Sequence, residues 1–272
     1  MTPATETAGF SPRRVLAMAL RYLYLLRGSW PRILELMYWP TLQMVLWGFM
    51  TLYLLQHSSY FAQAAGLLIA AVLLWDVLFR GELGVAICFL EEMWSRNLGN
   101  IFVSPLRPYE FVVALVTISL VRTLIGVIPA AVLAIFLYDY SIFDMGLPLL
   151  AFFVNLMVMG WALGLVVCGV LMRFGQGAES FAWLAIFAIA PFSGIYYPLS
   201  VMPEWLQAVA RALPSSHIFE GMRSVLVQNT FRWDLMINAI SLNALYLLIG
   251  GAAFALFFRA ARRRGLILTM GE

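Results

Sequence analysis

The sequence predicts an all-α polytopic membrane protein: six transmembrane helices, an N-terminal amphipathic interface helix, and a helical re-entrant or interfacial segment before the last span. Three observations carry this. Hydrophobic residues make up 63% of the chain and charged residues only 11%, against about 25% charged in an ordinary soluble domain. Six long apolar stretches divide the 272 residues. Each spanning helix needs roughly 20 apolar residues, so spans and connections use nearly the whole length as a single transmembrane domain.

Residues 12–29 read as the amphipathic helix. Val15, Leu16, Ala19, Leu23 and Leu26 repeat at helical spacing, while Arg14 and Arg21 share another face. Such a helix lies in the interface plane with its arginines toward lipid headgroups. Ser11-Pro12-Arg13-Arg14 superficially resembles a twin-arginine signal, but Arg21 and Arg27 interrupt the apolar stretch. No small-residue cleavage site follows, so the segment is expected to be retained.

Span one covers residues 33–55 and ends in the polar loop Gln56-His57-Ser58-Ser59. Span two covers 62–90, too long for a vertical crossing of about 30 Å at 1.5 Å per residue. Its later half must tilt, bend or leave the membrane, most easily at Gly81 and Gly84. Residues 91–108 interrupt the pattern and read as a short amphipathic helix closed at a Ser-Pro turn. Span three covers 109–138, with Asp139 and Asp144 in the turn beyond, and span four covers 147–172, closed by Arg173-Phe174-Gly175. Span five covers 181–198 and breaks up after Pro191. Residues 201–234 form an external helical hairpin. Pro203 fits a first turn, Trp205, Leu206, Val209, Ala212 and Leu213 make an apolar stripe, and Pro214 ends that helix before a second one after Ser215-Ser216. Two readings of this hairpin stay open, a re-entrant element near the exit of a pathway and a lid packed on the bundle. Span six covers 235–258 and meets Arg259 and Arg262-Arg263-Arg264.

The net charge of +3 comes from Arg alone, since the chain has no Lys; so small a surplus is no nucleic-acid signature. Arg13, Arg14, Arg21, Arg27, Arg32, Arg96, Arg107, Arg173, Arg259 and Arg262 to Arg264 fall on one side of the six spans, and only Arg211, Arg223 and Arg232 on the other. The positive-inside rule then puts both termini and residues 91–108 in the cytoplasm.

Chemistry has little to work with. There is no H-E-x-x-H, no G-x-S-x-G and no Walker lysine, so the chain is expected to be a non-enzyme that hydrolyses no nucleotide itself. Cys88 and Cys168 lie in apolar segments and read as buried packing residues. His57 and His217 fall outside the spans, so no metal or haem site is expected. The charges inside the spans are Asp76, Arg80, Glu82 and Arg122. Asp76 and Arg80 share a helix face, and Arg122 is placed to meet Asp76 or Glu82. They either line a conduit or fix helix packing. Gly160 and Gly164 permit a close helix approach, within the chain or across a dimer. Trp39, Trp47 and Tyr197 are candidate substrate contacts among aromatics that otherwise read as interfacial anchors.

Glu91, Glu92, Arg96, Gly99 and Ser104-Pro105, followed by Glu110, resemble the coupling segment of the type-2 ABC transporter permeases. Leu213-Pro214-Ser215-Ser216-His217-Ile218-Phe219-Glu220-Gly221-Met222-Arg223 resembles the signature before the last span of that family, with Pro214, Glu220 and Arg223 as its marks. The resemblance implies a half-transporter of a bacterial inner membrane, paired with a second copy or a homologous permease and surrounded by lipid. A separate ABC ATPase would dock on Glu91, Glu92, Arg96, Gly99, Ser104 and Pro105, and would itself hold ATP and magnesium; this chain would hold no cofactor. Relatives export drugs, glycolipids, polysaccharides or lipo-oligosaccharides. Unlike fused members, the sequence contains no nucleotide-binding domain and no large external domain. Two contrasting readings are an ion-coupled carrier or channel without an ATPase, resting on Asp76, Arg80, Glu82 and Arg122, and a scaffold without transport.

Overall fold

The computed structural model describes residues 9–57 and 66–265. Among these residues there are ten α-helices and no strand. They are α1 (Pro12–Arg27), α2 (Trp30–His57), α3 (Leu67–Trp94), α4 (Leu98–Val103), α5 (Pro108–Tyr138), α6 (Leu147–Phe174), α7 (Ser180–Ile189), α8 (Glu204–Arg211), α9 (Pro214–Gln228) and α10 (Trp233–Arg263). Helices α5, α6 and α10 are long and apolar enough to cross a membrane by length and composition. The all-α membrane architecture expected from composition is the one observed. Ser58, Ser59 and the start of the second apolar stretch lie outside the described residues.

Helix α3 is the axis of the bundle. Buried residues lie on every side of it, as in a helix enclosed by protein, and it packs against α2, α5, α6 and α7. It stays one helix through Gly81 and Gly84, both of which lie in close contact with neighbouring helices. The Ser119 hydroxyl on α5 donates to the Gly81 carbonyl at 2.9 Å. A Cβ at Gly160 of α6 would come within 2.8 Å of the Glu82 backbone nitrogen, and one at Gly164 within 2.9 Å of the Glu82 carbonyl oxygen. The G-x-x-x-G pair therefore serves the α3–α6 seam inside this chain. The helix also overshoots the boundary expected at residue 90. Glu91 and Glu92 belong to its last turn, and only α4 is a separate short helix.

Two apolar clusters form the core. One surrounds Phe89, Phe111, Leu171 and Phe258, at the end where α3 stops and α5 starts. The other surrounds Leu74, Leu78, Phe152 and Phe219 toward the opposite end, and Phe79 and Trp161 pack against both. The fifth apolar stretch is a helix of only ten residues, followed by a 3₁₀ turn (Ala190–Phe192) and Gly194 at φ +63°; Pro191 and this left-handed glycine end regular structure. In the hairpin, Pro214 opens α9 at its first turn, where a missing N–H costs nothing. Ser215 and Ser216 are buried inside that turn rather than preceding the helix. The Ser216 hydroxyl donates to the carbonyls of Ala210 and Leu213 at 2.6 and 2.9 Å, pinning α8 to α9.

Candidate functional site

At the end of the bundle that gathers most of the arginines, three carboxylates are clasped by cations from distant segments. Glu92 is 1% exposed. It accepts hydrogen bonds from both terminal nitrogens of Arg21 on α1 and from the Asn97 amide at 2.7 Å. Glu91, one residue earlier, accepts from Arg122 of α5 at 3.1 Å on each oxygen and faces Arg32 of α2 at 3.5 Å. Glu110, at the start of α5, is fully buried and accepts from the Ser11 N–H at 2.8 Å, the Arg14 Nε at 2.8 Å, the Arg14 Nη2 at 2.6 Å and the Arg107 N–H at 3.0 Å.

Arg14 and Arg21 are seven residues apart, two helical turns, and so share one face of α1. That face was expected to meet headgroups. It meets Glu110 and Glu92 instead, because burying a carboxylate is costly unless a cation stands beside it. Met18, Ala19, Tyr22 and Leu26 complete the buried face, while Leu16 and Tyr24 point outward. The bond to Glu92 raises the Arg21 guanidinium above its ordinary value, and burial raises the Tyr22 phenol.

After α3, Arg96 adopts a left-handed conformation at φ 53°, which turns the chain into α4. Leu98 and Ile101 of α4 are buried beneath it. Trp94, Arg96, Asn100, Ser104 and Pro105 are exposed, and Val103 is 85% exposed. Gly99 opens onto a cleft of about 420 Å³ floored by Phe102, Leu106 and Phe258 and edged by Arg107 and Arg262. The residues expected to touch a partner thus divide in two. Glu91 and Glu92 turn inward, while Arg96, Gly99, Ser104 and Pro105 lie at the surface.

The intrahelical charges are not gathered in one place. Arg122 meets Glu91, and neither Asp76 nor Glu82, because its long side chain runs along α5 toward the polar end. Asp76 and Glu82 are both buried. Oδ2 of Asp76 and both carboxylate oxygens of Glu82 have no hydrogen-bond partner. Arg80 lies against Gly126, where a Cβ would come within 2.8 Å of its Nε and of the Leu36 carbonyl oxygen.

At the opposite end, Arg223 of α9 donates to the carbonyls of Gly194, Ile195 and Tyr197, the last two at 3.0 and 2.9 Å. Burial lowers this guanidinium from its ordinary value. Glu220, one turn earlier, accepts from Arg223 at 3.2 Å and from the Leu199 N–H at 2.8 Å. The two residues hold the irregular segment after α7 in place.

A sequence profile of the ABC-2 type transporter family matches residues 24–227, well over half of the chain. The chain belongs to the ABC-2 type transporter family. It is a multi-pass membrane protein and the permease component of an ABC transporter, a component that works with an ATPase subunit. The matched region runs from late α1 to the end of α9 and takes in Glu91, Glu92, Glu110, Glu220 and Arg223. A comparison with curated proteins finds no match. In this permease the sequence reading missed the roles of Arg14, Arg21 and Arg32 as partners of the acids. The two-turn spacing of Arg14 and Arg21 was the available signal.

Proposed function

We propose that this permease is the transmembrane half of an ATP-driven exporter in a bacterial inner membrane. Two copies, or this chain and a homologous permease, form the pathway. Helices α2, α3, α5, α6, α7 with its following turn, and α10 are the six spans. The arginine-rich end faces the cytoplasm, in keeping with the positive-inside rule. A separate ATPase docks on α4, the Ser104–Pro105 turn and the adjoining cleft, and carries the ATP and magnesium. Drugs, lipid-linked glycans and lipo-oligosaccharides are the candidate cargo.

The observation that carries this reading is the construction of the α4 surface. An exposed apolar and polar strip, Trp94, Asn100, Val103 and Pro105, stands on a platform in which α1, α2, α3 and α5 are tied by Arg21–Glu92, Arg32–Glu91, Arg122–Glu91 and Arg14–Glu110. A push on that strip reaches four helices at once. The carrier reading loses one of its four residues, since Arg122 is committed to Glu91.

The test is co-purification of the chain from native membranes with a Walker-containing subunit, followed by ATP-dependent transport in proteoliposomes. Transport that persists without ATP under an ion gradient overturns the proposal.

A further inference from the structure

The cleft beside α4 has two arginines on its edge and no carboxylate in its lining. Its floor, Phe102, Leu106 and Phe258, is apolar, and the Phe102 and Phe258 rings meet with centroids 4.7 Å apart. The Arg107 side chain donates to the Tyr109 hydroxyl at 2.9 Å and lies over that ring at 5.9 Å, so it is held in place without being neutralised. Arg262 of α10 is exposed and, like Arg107, enters no ion pair among the described residues. The three carboxylates clasped at this end, Glu91, Glu92 and Glu110, are already committed to Arg14, Arg21, Arg32 and Arg122. The cleft therefore carries two positive charges that no described side chain balances.

Its position decides what can reach it. Phe258 ends the apolar run of α10, and Arg262 follows one helical turn later. With the arginine-rich end in the cytoplasm, the floor lies where hydrocarbon ends and the rim lies among headgroups. A soluble subunit meets the rim at Val103 and Pro105 but does not reach hydrocarbon depth, whereas an acyl chain does. Arg259 and Arg262 to Arg264 are all exposed, and such a cluster just cytoplasmic of a span attracts anionic lipid. The volume, about 420 Å³, falls within the roughly 300–1,000 Å³ of small-molecule sites. That is room for a headgroup and the upper part of one chain, with the rest of the lipid left in the bilayer. Two arginines also favour a lone phosphate over one that carries choline, because the choline cation would face both guanidinium groups.

We propose that this cleft binds an anionic phospholipid of the cytoplasmic leaflet, its phosphate held by Arg107 and Arg262 and its chain laid over Phe102 and Phe258. This rests on the orientation proposed above and deepens the docking reading: the ATPase takes the rim and lipid takes the floor.

The experiment uses the full chain in detergent, without the ATPase, titrated with dioleoyl phosphatidylglycerol and read by native mass spectrometry. One saturable equivalent is expected, bound about tenfold or more tightly than dioleoyl phosphatidylcholine. Arg107→Gln and Arg262→Gln should each weaken it about fivefold, the worth of one arginine near an anionic lipid, and the double change about 25-fold. Arg107→Gln spares Glu110, which uses only the backbone N–H of Arg107. Arg262→Lys keeps the charge and should bind within about twofold of the parent. Arg173→Gln, at the same end but outside the cleft, should also stay within about twofold. Equal binding of the two lipids, or unchanged phosphatidylglycerol binding by the double variant, overturns the proposal. So does equal weakening by Arg173→Gln, which would mean attraction to surface charge in general. If the double variant keeps the lipid but loses the ATPase in co-purification, the cleft belongs to the partner subunit and the proposal fails. The lipid titration needs no ATPase, so its outcome is separate from that of the exporter test.

Discussion

Removing Arg21 should harm this protein more than removing the charge of its partner. Glu92 is 1% exposed and Arg21 is 39% exposed. Arg21→Ala leaves a buried carboxylate with Asn97 as its one hydrogen-bonded side-chain donor among the described residues. Stranding one member of a fully buried pair costs about 3–5 kcal/mol. Water already screens the outer side of Arg21, so about 1–3 kcal/mol is expected here. Glu92→Gln keeps the shape and a hydrogen-bonding amide and frees Arg21 to turn to water or headgroups, costing about 1 kcal/mol. Arg21→Ala with Glu92→Gln should then be more stable than Arg21→Ala alone. The chain carries its own reporters, because Cys88 and Cys168 are buried free thiols that a maleimide dye reaches only on unfolding. Thermal melts read by thiol labelling in detergent would give the cycle. If the double variant melts at or below Arg21→Ala, or Glu92→Gln is as damaging as Arg21→Ala, the clasp does not work as described.

Other consequences are open to test. Gly160→Ala places a methyl 2.8 Å from the Glu82 backbone nitrogen and should destabilise the α3–α6 seam by about 1–3 kcal/mol in the same melt. Val103→Asp should abolish ATPase co-purification and ATP-driven transport with an unchanged melt, since Val103 is 85% exposed. Arg223→Met removes three carbonyl contacts and should speed hydrogen exchange at the Leu199 amide by about tenfold or more. Arg122→Met should impair transport while Arg122→Lys retains part of it, because Glu91 needs a nearby cation; equal loss in both would count against the pairing.

The fold was largely legible because the apolar stretches are a local signal that survives in any context. Where the sequence reading went astray, long-range pairing decided the outcome. Glu91 and Glu92 looked like the start of a polar loop, yet α3 continues through them, since their cations arrive from segments 31 to 71 residues away. Arg122 looked like a partner for Asp76 by neighbourhood of spans, but helix register sets it level with Glu91. Pro214 was read as a stop and proves to be a start, since a residue without an N–H fits the first turn of a helix. The surface residues Arg96, Gly99, Ser104 and Pro105 were singled out by family likeness, not by any local physical rule.

Consider how such a chain comes off the ribosome. Helix α1 is made first, but the acid that Arg14 binds lies 96 residues downstream. The Arg14–Glu110 and Arg21–Glu92 pairs can therefore form only after α3 and α5 have been made. Truncating α1 would do more than loosen an anchor. It would strip Glu92 of its arginine and Glu110 of its side-chain donors, leaving two buried acids without a cation from α1, which a quality-control protease would meet as a sign of incomplete assembly.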